Sequence, residues 1–206
     1  MSGISKSDAE RVRQAWGNVV GWMERNAPSS VEALNPPAGD EDMSRLRSAL
    51  GGDVPDVLDA WLRMNNGSTA KDQREPITGG FKVIRHPDSA IFPLGKALLS
   101  SQEMIEHRAD YLGVAEDIGD EDYWKPSWIP VVETLDAPYG FLLDMQGEGN
   151  VYPVLSYREG SYPRPYAPSL AHVLDAMANA IDQGAGSDFS LSGTSVTVVD
   201  GRITWF

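Results

Sequence analysis

An α+β fold is what the sequence predicts: a single domain in which about five helices pack a mixed or antiparallel central sheet, carrying a C-terminal β-hairpin. Apolar stripes at helical spacing begin behind capping residues. Short apolar runs bounded by Gly, Pro, Asn and Asp fill the middle of the chain, and an Asp-Gly pair near the end separates two alternating runs. The 206 residues suit one domain with a small addition. They divide into a domain over 1–182, a linker over 183–188 and a hairpin extension over 189–206.

The first helix opens at Ser7, which forms a capping box with Glu10, and Val12, Trp16, Val19, Val20 and Met23 share one face. It ends near Asn26, because Pro28 follows. An extended stretch, Leu34-Asn35-Pro36-Pro37-Ala38, leads to Asp40, a good N-cap, and a second helix over 43–50 stops at Gly51-Gly52. A third begins at Val54-Pro55, with proline in its first turn, carries Val57, Leu58, Trp61 and Leu62, and closes at a left-handed cap in Asn65-Asn66-Gly67. The stretch 68–79 reads as a polar loop, followed by short strands at 81–84 and 90–92 around the turn His86-Pro87-Asp88.

Ser100 with Glu103 is a second capping box and starts a fourth helix with Met104, Ile105, Tyr111 and Leu112 on one side. Strands are expected at 128–135, 141–145 and 151–157, the last two joined by a loop at Gly147-Glu148-Gly149-Asn150. Pro153 within the third of these places it at a sheet edge, since proline cannot donate to a ladder. A fifth helix starts at Pro168-Ser169 and aligns Leu170, Val173, Leu174, Met177 and Ile181. At the end, Asp200-Gly201 signals a type I′ turn that pairs Val199 with Arg202, Val198 with Ile203 and Val196 with Trp205. Val196, Val198, Ile203 and Trp205 then share one face. A lone hairpin is marginal in water, so this one is expected to dock on its own domain or to pair two copies as a homodimer.

Thirty acidic residues against 17 basic ones give a net charge of −13. That balance argues against nucleic acid as a ligand and fits a basic protein partner. The absence of cysteine excludes disulfides, thiolate metal sites and cysteine nucleophiles. No apolar run is long enough to span a membrane and the opening MSGISKSDAERVRQ has no signal-peptide core, so a cytoplasmic location is expected.

The chain contains no phosphate-binding glycine loop and no nucleophile elbow. His86, His107 and His172 lie far apart without metal-ligand spacing, and all three read as surface histidines. One dense charge cluster stands out: six carboxylates fall between 110 and 122, with no Lys or Arg between Arg108 and Lys125. It lacks the alternating oxygen ligands of a calcium loop. It also lacks the contrast of one apolar and one solvated carboxyl that a paired-carboxylate hydrolase needs. A solvated loop accounts for it, or an electrostatic docking surface formed by Glu116, Asp117, Asp120, Glu121 and Asp122, with Tyr123 and Trp124 as aromatic anchors. Trp16, Trp61 and Trp205 sit on core stripes, whereas Trp22, Trp124 and Trp128 are not assigned by pattern. No catalytic residue, metal site or cofactor is assigned.

The order of several short words resembles the SUKH superfamily, to which cell-wall regulators of the Smi/Knr type belong. Trp16 is similar to that family's early tryptophan, and Leu34-Asn35-Pro36-Pro37-Ala38 to its proline-bearing approach to the second helix. Leu50-Gly51, Val54-Pro55, Trp61-Leu62 and Asn65-Asn66-Gly67 resemble its LG…LP…L…NG stretch. Trp128-Ile129-Pro130-Val131 and Tyr139-Gly140-Phe141-Leu142-Leu143-Asp144 resemble its central strands, and Ala167-Pro168-Ser169-Leu170 its last helix. The resemblance spans roughly 12–182, departs at Val54 and in the 68–79 loop, and leaves the hairpin out. It implies an α+β domain without known catalytic residues, and a non-enzymatic immunity protein that binds and neutralises a cognate toxin, often a nuclease, by occlusion. The alternatives are a regulatory scaffold of cell-wall or signalling pathways and, third, a carboxylate- or metal-dependent hydrolase built on 116–122.

Overall fold

Ser7 begins the first helix as its capping pattern predicts: its hydroxyl accepts from the Glu10 N–H while the Glu10 carboxylate accepts from the Ser7 N–H at 3.0 Å. The computed structural model describes residues 7–69, 73–84, 89–134, 138–147, 151–184 and 194–206. Helix α1 (Asp8–Asn26) turns its stripe of Val12, Trp16, Val19 and Met23 fully inward. It is followed by α2 (Pro28–Glu32), α3 (Asp40–Leu50) and α4 (Asp56–Leu62). Helix α2 is an addition to the expected set. Its five residues start at Pro28, the residue that stops α1, because proline fits the first turn of a helix as well as it breaks an interior.

Gly39, rather than Asp40, caps α3, and Pro55 precedes α4 instead of entering it. Asn65-Asn66-Gly67 is not the cap of α4, which ends at Leu62 with a right-handed Arg63. The three residues instead tie four segments together. Trp16 Nε1 donates to Asn65 Oδ1 at 2.8 Å, Asn65 Nδ2 donates to the Asn35 carbonyl, and Asn66 Oδ1 accepts from the Ser101 N–H at 2.7 Å. Gly67 has φ +90°, and a Cβ there would come within 2.6 Å of the Ser100 backbone. Only glycine suits such an approach.

Strands β1 (Gln73–Ile77) and β2 (Gly80–Ile84) form a hairpin inside and beyond the stretch expected as a polar loop. The main sheet is an antiparallel meander, β3 (Lys96–Leu98), β4 (Trp128–Thr134), β5 (Gly140–Asp144), β6 (Val154–Arg158) and β7 (Ser161–Ala167), paired in that order. Helix α5 (Ser101–Ile118) precedes β4, and α6 (Leu170–Gln183) follows β7. The expected strand at 90–92 is reduced to one bridge, Phe92 with Lys96, across the turn at Pro93-Leu94-Gly95. Pro153 lies just before β6, an internal strand, so the edge expectation fails there. The proline rule operates one strand later: β7, with Pro163 and Pro165, is the edge.

The principal core lies between α1, α4, α6 and one face of this sheet, where Trp16 stacks on Phe92 at 5.9 Å and meets Trp61 edge-on at 5.6 Å. A second apolar cluster joins α5 to the opposite face. Beyond α6, β8 (Val196–Val199) and β9 (Arg202–Trp205) take the predicted register around Asp200 and Gly201, both at positive φ. The hairpin docks on its own chain. Ser29 N–H donates to the Gly201 carbonyl at 2.9 Å, Ile203 N–H to Ser30 Oγ at 3.1 Å, and Trp205 Nε1 to the Ile91 carbonyl at 2.8 Å. The expected turn at His86-Pro87-Asp88, the loop tip at 148–150 and most of the 183–188 linker lie outside the described residues.

Candidate partner-binding surface

Nothing between Ser100 and Ile118 breaks a helix, so α5 continues through Glu116 and Asp117 and stops only at Gly119, which takes φ +67°. These two carboxylates were expected in a loop. They occupy instead the last helical turn, which holds no basic residue. The C-terminal end of a helix carries a partial negative charge, and an acidic side chain there costs about 0.3–1 kcal/mol. Their position therefore detracts from stability while it deepens the local negative potential.

Past Gly119 the chain turns back toward the sheet. Glu116, Asp117, Glu121 and Asp122 remain exposed, and Lys125 pairs with Asp122 at 3.2 Å. Asp120 is half-buried: Oδ1 accepts from the Asp122 N–H at 3.0 Å and Oδ2 accepts from the Tyr162 hydroxyl at 2.6 Å. That hydrogen bond holds the Tyr162 phenol above its usual range. Trp124 is not an anchor for a partner. It is 3 % exposed, stacks on Tyr111 at 4.3 Å, and meets Tyr157 and Trp128 edge-on at 5.1 and 5.8 Å. Half-buried Tyr123 packs against the same cluster. The Trp124 expectation fails because an aromatic beside an acidic run satisfies the nearest uncovered sheet face, here that of Leu142 and Tyr157. Trp128 joins this cluster, and Trp22 packs against the principal core.

Under α5 the structure assembles a polar group that the sequence reading passes over. Glu133 on β4, 8 % exposed, accepts from Tyr111 at 2.9 Å and Tyr157 at 2.9 Å, and its Oε2 lies 2.7 Å from His107 Nδ1. His107 is thus a half-buried partner of the sheet rather than a surface histidine. Its hydrogen bond to Glu133 outweighs burial and raises its pKa, with Glu103 and Asp110 adding to the effect. Burial and the Glu133 charge hold the Tyr111 and Tyr157 hydroxyls well above the usual phenol range. Both Glu133 oxygens are engaged by these three partners. Only the spacing of His107 and Tyr111 on one helix face hinted at it. Among the described residues, no three His, Asp or Glu side chains stand where they could hold a metal ion.

On the other sheet face, past the end of the principal core, lies an open groove of about 750 Å³. Its floor holds Phe141, stacked on Tyr166 at 4.3 Å, and Lys96, whose Nζ sits 5.1 Å from the Phe141 ring centre. Burial pulls the Lys96 ammonium down to about 8.

The described helices include none long and apolar enough to cross a membrane. In comparison with known families, the chain matches the family described as SMI1 / KNR4 (SUKH-1) over residues 37–176, more than half its length. No curated protein matches it in sequence.

Proposed function

The chain belongs to the SMI1/KNR4 family (SUKH-1), and on that premise we propose that it is a non-enzymatic binding protein of the immunity type, which neutralises a basic toxin domain by covering its active cleft. The observation that supports this reading is the ridge at the end of α5. Glu116, Asp117, Glu121 and Asp122 stand exposed there, two of them where the helix dipole disfavours them. Charges placed against local stability suit an encounter surface. A cleft built to seek phosphate presents Lys and Arg, and carboxylates in place of phosphates both steer the approach and fill the site. The cytoplasm, where such a toxin meets its inhibitor, is the expected compartment.

The test is co-expression with the product of the gene immediately upstream, followed by pull-down at low and moderate salt. A one-to-one complex that weakens as salt rises, and that Asp117→Lys with Asp122→Lys loosens by about tenfold, is the expected result. No complex, or a complex indifferent to both salt and substitution, overturns the reading.

A further inference from the structure

The groove on the sheet inverts the charge of the molecule around it. Of the described residues that line it, none is Asp or Glu and three are basic, Lys96, Arg158 and Arg164, in a chain with 30 acids and 17 bases. Lys96 is the unusual member. Its residue is 5 % exposed, and among the described residues its Nζ reaches one protein acceptor, the Pro93 carbonyl at 3.4 Å, and pairs with no carboxylate. A buried ammonium held only by a long carbonyl contact and an aromatic face is under-satisfied, since it has three protons to donate. Above it the rim is built of Arg158 and Arg164, both exposed, with Tyr139 and Tyr162 at 45 % and 57 % exposure. Arginine and tyrosine are the residues that carry binding energy at protein interfaces. Leu94, also on the rim, is 75 % exposed and held at φ +64°, a conformation a branched apolar side chain rarely takes.

We propose that this groove is a second docking site, which takes an extended acidic peptide segment of a protein partner, one carboxylate seated on Lys96 and flanking carboxylates on Arg158 and Arg164. The volume, within the range of sites that enclose a ligand, admits a few residues of extended chain. The surroundings select against a polyanion. Tyr162 on the rim bonds Asp120, so the acidic ridge begins where the groove ends, and a nucleic-acid strand leaving the groove would run into Asp120, Glu121 and Asp122. A short run of carboxylates fits between. The site is independent of the toxin reading, because it concerns a different surface and the opposite sign of charge.

The test uses the full chain and a fluorescein-labelled peptide of alternating Glu and Tyr, with a Gln-Tyr peptide and a single-stranded oligonucleotide as parallel probes. Fluorescence anisotropy should show the Glu-Tyr peptide bound at least about tenfold tighter than either. Arg158→Glu with Arg164→Glu, both on exposed side chains, should cost about tenfold or more, and Lys96→Met, which keeps the apolar stem, should weaken binding with the melting temperature held or raised. Equal affinity for the Gln-Tyr peptide, tighter binding of the oligonucleotide, or full affinity in the arginine double variant each overturns the proposal.

Discussion

A methyl group on Gly140 would overlap the Val132 carbonyl oxygen and come within 2.6 Å of the Tyr157 hydroxyl. The cause is a row across the sheet: Glu133, Gly140 and Tyr157 are cross-strand partners on β4, β5 and β6, and the bare glycine lets the phenol lean over to the carboxylate. Gly140→Ala should therefore destabilise by about 1–3 kcal/mol through overpacking, read as a lower urea midpoint. His107 makes the same group sensitive to pH. Its folded pKa lies above the unfolded value because the hydrogen bond to Glu133 favours the imidazolium, so its contribution is complete below about 6.5 and is lost as pH rises through the raised folded value. Unfolding free energy measured from acid to alkaline pH should fall across that window, and His107→Gln should flatten the profile. Little of this was legible in the sequence. Glu133 lies 26 positions from His107, and one polar residue in an apolar strand does not say which helix will satisfy it.

Elements with a chemical start or stop were legible. Ser7 with Glu10, Ser100 with Glu103 and Ser169 each open a helix with a side chain that accepts from the backbone, and Asp200-Gly201 sets the hairpin register residue for residue. The strands that were missed lack such punctuation. Strand β3 has three residues beginning with lysine, and β7 contains two prolines that read as a loop until its edge position is known. The hairpin supplies the prediction at this scale. Ile203 is 3 % exposed against the principal core, and Trp205 and Ser30 spend hydrogen bonds on the contact. A chain ending at Gln183 should lose about 2–4 kcal/mol of stability in urea unfolding, from one buried aliphatic side chain and two donors. Light scattering of that truncated chain also reads the outer strand β8, where Val198 and Val199 are exposed. A dimer joined through that edge would halve its mass on truncation.

At the scale of the whole molecule, the −13 charge was legible as a number but not as a shape. The acidic run read as a loop with aromatic anchors; folding put two of its carboxylates on a helix end and took Trp124 inside. The basic groove was invisible, because its residues are spread from 93 to 194 and meet only when five strands pair. What the fold does with this charge can be tested by setting stability against association. If Glu116 and Asp117 serve the fold, Glu116→Gln and Asp117→Asn should lower the urea midpoint. If they serve an encounter, removing charge from the negative end of α5 should raise stability by about 0.3–1 kcal/mol each and slow association with the basic partner. The second outcome is expected, since no basic side chain stands in the last turn to be lost as a partner. Stopped-flow association of the unaltered chain should slow steeply as ionic strength rises, because the Debye length shrinks from about 10 Å at 0.1 M to about 3 Å at 1 M. Dissociation should quicken less steeply over that range, because carboxylates seated in a basic cleft are screened less than the charges that steer the encounter. The paired variants should show a shallower salt dependence from a lower starting rate. Loss of stability together with an unchanged association rate would return the ridge to the fold and leave the encounter to another face.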